Sequence, residues 1–548
     1  MSTDTIRLLS PEIVLIATAV LIYLAGALVD ARNWWACAAA GGIAAAAIAL
    51  WCVEQPAPTA GGPLTVDALA YFGRWLALAL GALLLLLASR PLDTPGTPEY
   101  VGSLLLAIVG LMLVCGAGDL VLLFVGLELI SIPTYIMLYL GRRGTDRRLV
   151  TISQESALKY FFLSILASAM LLYGLSFLYG TSGSTNLAAI AAAWAAPGGT
   201  AAGLAKLGKV AFVLILAGLG FKLTAVPFHF YAPDVYQGTT YPNAGLLSVL
   251  PKAAAVVALV RVAVVAMPTP PDVKPYAWIV VLILAMLTMT VGNVMALWQE
   301  NLRRLLAYSA VAHAGYMLIA LAVGLVPVAA QGRWNGLSAL LFYLCVYAVA
   351  TIGTFAALEF LGHRDRQIEA VEELAGLGRT RPLLALAIAV FMFSLAGIPP
   401  LAGFWGKLFV FGSALSVDAG NLAAGSLWPW FVALAVVGVL NAAVAAAYYL
   451  RIVAAAYMGG EAEPATPTGG RPVRWGLALC SIPLLVLFAW PTGLTQQVRT
   501  ATTVLHRSIR VSGARVTVAE DATRGVPTDA APLETGEVAA SNDHHPDP

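Results

Sequence analysis

Residues 207–229 read LGKVAFVLILAGLGFKLTAVPFH, and two features of this run decide what kind of protein the chain is. It is long and apolar enough to cross a bilayer, which takes roughly 20 residues of helix. Yet it holds a lysine, Lys222, and five residues later a proline, Pro227. A lysine at membrane depth costs at least ~2.5 to 3.5 kcal/mol, and a proline removes a backbone hydrogen bond that hydrocarbon cannot replace. Both are tolerated where a helix is broken and lines a hydrated cavity.

Runs of the same kind flank it on both sides. Apolar blocks fall near residues 12–30, 34–53, 71–89, 100–117, 119–141, 154–180, 207–229, 243–267, 276–297, 302–325, 336–362, 382–416, 428–457 and 473–493. Of 548 residues, 60% are hydrophobic and 11% charged, where soluble domains are near a quarter charged. That is about 330 apolar residues, enough for about 14 helical spans. Unbroken runs such as Ala79 to Ala88 exclude a β-barrel, whose strands would alternate lipid-facing and lumen-facing residues. The expected fold class is an all-α polytopic membrane protein of about 14 transmembrane helices, two of them broken. The first block lacks a small-residue cleavage pattern and reads as a retained helix.

Charge and cysteine usage remove several function classes. With 31 Lys+Arg against 29 Asp+Glu, there is no basic face to bind nucleic acid. The five cysteines, Cys37, Cys52, Cys115, Cys345 and Cys480, sit singly in or beside apolar blocks and read as buried small hydrophobes. No CxxC, no GxGxxG after a strand and no Walker motif occurs, so no metal, iron–sulfur, nicotinamide or nucleotide site is expected on this chain. Any redox chemistry belongs to a partner.

Loop charge sets the orientation. Junctions after odd-numbered blocks carry fifteen Lys and Arg, against six on the other side, which places the odd junctions in the cytoplasm and both termini outside. The polar tail over 496–548 is expected to be disordered, with His544 and His545 solvated in it. His363, beside Arg364 and Asp365, reads as a loop residue.

Five basic residues remain once loops and tail are accounted for: Arg74, Lys159, Lys222, Lys252 and Lys407. Arg74 and Lys159 lie near block starts, where a long side chain can snorkel to the interface. Lys159 also has Glu155 four residues before it, on the same helix face. Lys222, Lys252 and Lys407 are deep, and Glu128 is read as the one comparably deep carboxylate, about 14 Å along its helix from Asp119. One acid and three bases on separate helices form a string of titratable sites rather than self-contained ion pairs. Pro227 follows Lys222 by five residues, whereas Pro399 and Pro400 precede Lys407, an order suggestive of inverted repeats. His313, in an apolar helix, is a candidate relay; His229, two residues past Pro227, either joins the relay or caps freed backbone.

At these residues the sequence resembles a known family. GLELISIPTY at 126–135, ESALKYF at 155–161, VPFHFYAPDVYQG at 226–238, LLAYSAVAHAGYM at 305–317 and AGIPPLAGFWGK at 396–407 resemble subunit N of the proton-pumping NADH:quinone oxidoreductase, respiratory complex I. The wider family takes in its sister subunits M and L and the cation/proton antiporters. The resemblance spans roughly 100–460 and implies a proton channel in the membrane arm of a bacterial complex, in the inner membrane. Glu128 and Lys222 would be a coupled pair, Lys252 the central lysine and Lys407 the gateway to the far side. NADH, FMN, iron–sulfur clusters and quinone would be held on or with partner subunits, and the partners would be the other membrane-arm subunits and lipid.

The implied organisation is helices 1–3 over 1–99, a first antiporter-like repeat over 100–270, a second over 271–460, a last transmembrane helix over 461–495, and the tail. The first hundred residues and the long tail depart from the pattern. Two rivals remain at this point: a sodium/proton antiporter subunit, and a membrane anchor of a hydrogenase-like complex.

Overall fold

The computed structural model describes residues 3–503 apart from 30–31, 54–61, 89–95, 142–146, 196–204, 267–273, 327–333, 362–367, 422, 424 and 459–469. Its membrane-crossing helices, in chain order, are α1 Ser10–Gly26, α2 Arg32–Cys52, α3 Ala68–Leu87, α4 Thr97–Cys115, α5 Leu120–Leu140 and α6 Arg147–Ser182. Then come α7 Ala205–Leu223, resumed after a break by α8 Ala232–Gly238, and α9 Tyr241–Leu259, which runs into a π-helical turn at Val260–Ala266. α10 Lys274–Leu297, α11 Leu302–Gly324 and α12 Gly336–Phe360 follow. The second broken span is α13 Pro382–Ala396 with α14 Ala402–Leu415, and α15 Trp428–Met458 and α16 Arg471–Ala489 complete the set. These helices account for all fourteen apolar blocks, with the twelfth split in two and the seventh ending in a break that α8 follows just past the block.

The two breaks sit in equivalent places. Counting crossings, each is the fourth of five, in helices four to eight and again in nine to thirteen. Five is odd, so the second set starts from the opposite face and runs inverted. Small residues let the first two helices of each set touch. A Cβ on Gly110 of α4 would stand 2.7 Å from the Gly126 carbonyl of α5, and one on Gly292 of α10 would stand 2.6 Å from the Ala312 nitrogen of α11. α9, α11 and α12 are buried almost all round, whereas α2 and α16 turn most of their surface outward.

Helix ends meet in two groups, and the grouping follows the chain's alternation. Arg148, Asp234 and Glu369, all at odd junctions, border one cavity, and Arg304 joins them through Asp234 at 2.6 Å. On the opposite face Leu64 pairs with Ala117 and Asp119 with Asn186 as short backbone bridges, all from even junctions.

Several readings of the sequence change. Arg74 does not snorkel: it is fully buried, with Nε 2.8 Å from Glu12 of α1, a second deep carboxylate. Arg261, counted with the loops, is 2% exposed and grips Asp67 with two hydrogen bonds of 2.6 and 2.7 Å. Arg303, also counted with the loops, is buried and meets Glu369 at 2.6 Å. Glu359 is a further buried acid. In each case a long side chain near a helix end found an acid on another part of the chain, which loop counting cannot see.

Lys159 behaves as expected, exposed and 2.7 Å from Glu155. Cys115 and Cys480 are buried, but Cys37 and Cys52 lie on the outward surface. The chain continues as helix over 492–503, where a disordered tail was expected to begin at 496. Val498 and Ala501 are buried there, and Thr502 shares a 2.7 Å hydrogen bond with Ser338. The rest of that tail, with His544 and His545, and the loop residue His363 lie outside the described residues.

Candidate proton pathway

The first break brings Lys222 to the end of α7, one turn short of the proline. Its ammonium lies 3.9 Å from Glu128 Oε1 of α5 and donates to Ser131 Oγ at 2.5 Å. Glu128 in turn accepts from Ser168 of α6 at 2.5 Å. Ser131 stands three residues after Glu128, on the same helix face. The sequence held that signal, although it went unused. The lysine side chain is 3% exposed and the glutamate 23%, so the pair sits just inside the molecular surface.

The backbone that the break frees is taken up by neighbours. Thr288 of α10 accepts the Val226 N–H at 3.1 Å, and the Tyr231 hydroxyl donates to the Phe221 carbonyl at 3.0 Å. Each substitutes for a lost helical bond, as burial in an apolar medium requires. His229 lies within this break, half-buried, with its ring 6.5 Å from that of Tyr308. Among the described residues it makes no hydrogen bond to Lys222, Lys252 or Lys407, whose bonds go to Ser131, Ala310 and Ala396.

Lys252 is fully buried at the middle of α9. Its Nζ donates to the Ala310 carbonyl of α11 and stands 5.6 Å from the centre of the Tyr347 ring. Three residues beyond Ala310, His313 is held by two tyrosines: Nδ1 to Tyr343 at 2.6 Å and Nε2 to Tyr449 at 2.9 Å. Tyr449 also hydrogen-bonds Ser309. His313 packs 4.9 Å from the Tyr347 ring, so it belongs to the same polar cluster as Lys252.

The second break presents Lys407. Gly397 ends α13 in the left-handed region at φ +84°, and the aliphatic stem of Lys407 lies against it, 2.6 Å from where a Cβ would be. The ammonium donates to the freed Ala396 carbonyl at 2.6 Å and stands 5.1 Å from the Tyr316 ring. Pro399 and Pro400 stay exposed at the turn. Between His313 and Lys407 a cavity of about 10 Å³, lined also by Tyr343, Tyr347 and Ser394, is close to the least that holds one water.

The structure thus gathers Glu128 with Lys222 and, separately, Lys252, His313 and Lys407. Tyr343, Tyr449, Tyr316, Ser131 and Ser168 join them. The tyrosines carried no sequence signal, since a tyrosine in an apolar helix is ordinary core.

Comparison with known proteins places this arrangement. The family described as "NADH:quinone oxidoreductase/Mrp antiporter, TM" matches residues 117–429. The NADH-quinone oxidoreductase subunit N of Rhodospirillum rubrum is 38% identical over 425 residues, covering 77% of this chain and 80% of that protein. A chain of respiratory complex I from Thermus thermophilus with bound aureothin superposes with a TM-score of 0.71 at 34% identity, covering 89% of this chain and 98% of that one. A chain of the Mrp complex from Dietzia sp. has a TM-score of 0.73 at 22% identity, with 94% and 99% covered, which shows a shared fold. The chain is a multi-pass membrane protein and belongs to the NADH-quinone oxidoreductase subunit N family of antiporter-like membrane proteins.

Proposed function

We propose that this chain is a proton-translocating subunit in the membrane arm of NADH:quinone oxidoreductase, and that Glu128, Lys222, Lys252 and Lys407, helped by His313, carry the proton. The observation that carries the reading is the Glu128–Lys222 pair, 3.9 Å apart rather than in direct contact and buffered by two serine hydroxyls. Withdrawing the carboxylate removes an attraction that holds the proton on the lysine; restoring it draws a proton back. A swing of two pKa units is ~2.7 kcal/mol, slightly more than the ~2.3 kcal/mol needed to move one charge against 100 mV.

Electron transfer from NADH through FMN and iron–sulfur clusters to quinone takes place on partner subunits; this chain carries no redox site, and its motif-free sequence supports that division. Its neighbours are the other membrane-arm subunits and lipid. It lies in a bacterial inner membrane with the odd junctions cytoplasmic and both termini periplasmic, as the loop charges favour. Protons enter on the cytoplasmic side near Pro227, dwell at Lys252 and leave by Lys407 at the Pro399–Pro400 break.

The sodium/proton antiporter reading rests on the shared Mrp fold, and 38% identity to a subunit N weighs against it. The hydrogenase-anchor reading would leave the buried lysines purely structural. Lys222→Ala and Glu128→Gln should each cut NADH-driven proton pumping in vesicles severalfold while the complex still co-purifies with its redox subunits. Undiminished pumping by an assembled Lys222→Ala complex would refute the coupled-pair mechanism.

A further inference from the structure

Two asparagines lie at membrane depth and take no part in the pathway described above. Asn293 of α10 is fully buried and Asn441 of α15 nearly so. Polar side chains persist in such helices where they hydrogen-bond across to a neighbour, and these two satisfy each other. Asn441 Nδ2 donates to the Val437 carbonyl at 3.0 Å and to Thr290 Oγ1 of α10 at 3.1 Å. Asn293 Nδ2 donates to Asn441 Oδ1 at 3.1 Å and to the Tyr316 hydroxyl oxygen of α11 at 3.2 Å. The Tyr448 hydroxyl of α15 donates to Asn293 Oδ1 at 3.0 Å and closes the set.

The polarity of this ladder is fixed at one end. A backbone carbonyl only accepts, so Asn441 must turn its amino group to Val437 and its oxygen to Asn293. Asn293 must then answer with its own amino group, and the hydroxyl that accepts from it is that of Tyr316. Neither side chain can flip without losing bonds, and a fully satisfied buried network holds one geometry. Small residues set the reach. Gly292, beside Asn293, and Gly315, beside Tyr316, mark where α10 and α11 touch: a Cβ there would stand 2.6 Å from the Ala312 nitrogen and 2.5 Å from the Met289 nitrogen. That spacing lets a side chain as short as asparagine bridge the two helices.

Tyr316 is the link to Lys407. Its ring centre stands 5.1 Å from the Lys407 ammonium, inside the roughly 6 Å over which a ring face attracts a cation. Besides its bond to the Ala396 carbonyl, Lys407 shares its cavity with His313 of α11, Tyr343 and Tyr347 of α12 and Ser394 of α13. α15 brings Tyr449 behind His313, and α16 meets α14 through the Phe488 carbonyl at Trp405. No carboxylate is in this set, so the face of the ring stands in for one.

We propose that Asn293 is a positioning residue for the Lys407 proton site: anchored by Asn441 and Tyr448, it pins the Tyr316 ring against the ammonium and so sets how firmly Lys407 holds its proton. The ring attracts the charged lysine and not the neutral amine, so a displaced ring weakens proton loading specifically. The proposal rests on the reading of Lys407 as a proton-carrying group.

The test follows NADH-driven pumping against pH in vesicles holding the intact complex, with assembly checked by co-purification. Asn293→Leu keeps the approximate size and removes the amide. The alkaline limb of its pumping profile should move about one unit to lower pH, as loss of a desolvated cation–π contact implies. Pumping then falls about tenfold on that limb and stays near wild type on the acid side. Tyr316→Leu removes the ring and should shift the limb at least as far; adding Asn293→Leu to it should shift the limb no further. Tyr448→Phe keeps the shape and removes one anchor, and its limb should move the same way by less.

An unmoved limb in an assembled Asn293→Leu complex overturns the proposal. So does an even loss at every pH, which marks a structural role, or a further shift when Asn293→Leu is added to Tyr316→Leu. Should Asn293→Leu fail to assemble, Tyr448→Phe decides by the same criterion. Lys407→Met separates the two readings: normal pumping there refutes the role of Lys407 itself, whereas lost pumping there with an unmoved Asn293→Leu limb refutes the positioning role alone.

Discussion

Gly397 shows how a single missing side chain positions a charge. Its backbone sits at φ +84°, where an alanine costs about 1 to 2 kcal/mol, and the Lys407 stem occupies the place a Cβ would need. Gly397→Ala should push the ammonium off the Ala396 carbonyl and lower proton pumping severalfold, with a modest fall in thermal stability; the ratio of pumping to assembled complex measures it. Among individual residues, depth was what the sequence could express. Lys222, Lys252 and Lys407 stood out because nothing at block ends explained them. Arg74, Arg261 and Arg303 stood near block ends, where snorkelling explains a base equally well. Their acids, Glu12, Asp67 and Glu369, lie 62, 194 and 66 positions away, and no local pattern predicts a pairing at such separations.

At the scale of elements, the two interrupted helices were legible because proline forbids a continuous one. What receives the freed backbone groups was not, since the receivers, Thr288 and Tyr231, are unremarkable in sequence. Thr288→Val keeps the shape and deletes the acceptor for the Val226 N–H, which should cost about 1 to 3 kcal/mol. A lower melting temperature of the purified complex, with the pump still running below it, is the expected outcome. The helix over 492–503 was missed for a different reason. Composition argued for a disordered tail, yet Val498, Ala501 and Thr502 repeat at helical spacing and bury one face.

For the whole molecule, the odd number of helices in each set inverts the second against the first, and the loop charges then decide which face is which. Thr380 lies exposed on the arginine-rich face and Gln497 exposed on the opposite one. In spheroplasts, a membrane-impermeant maleimide should label Gln497→Cys and leave Thr380→Cys unlabelled until the membrane is opened. The reverse pattern would invert the topology. The native Cys37 and Cys52 are exposed, and Cys52 ends α2 on the face of Gln497, so both are replaced by serine in the background that is labelled.

Glu128 has one more implication at this scale. Its carboxylate is 23% exposed while its lysine is 3% exposed, so half of the pair borders whatever packs against α5 and α6. A neighbour that brings a charge to that border changes the Coulomb field at Lys222 without moving an atom of this chain. Information can therefore be delivered to this subunit as a field, and every step from Lys222 inward can begin from a rearrangement next door.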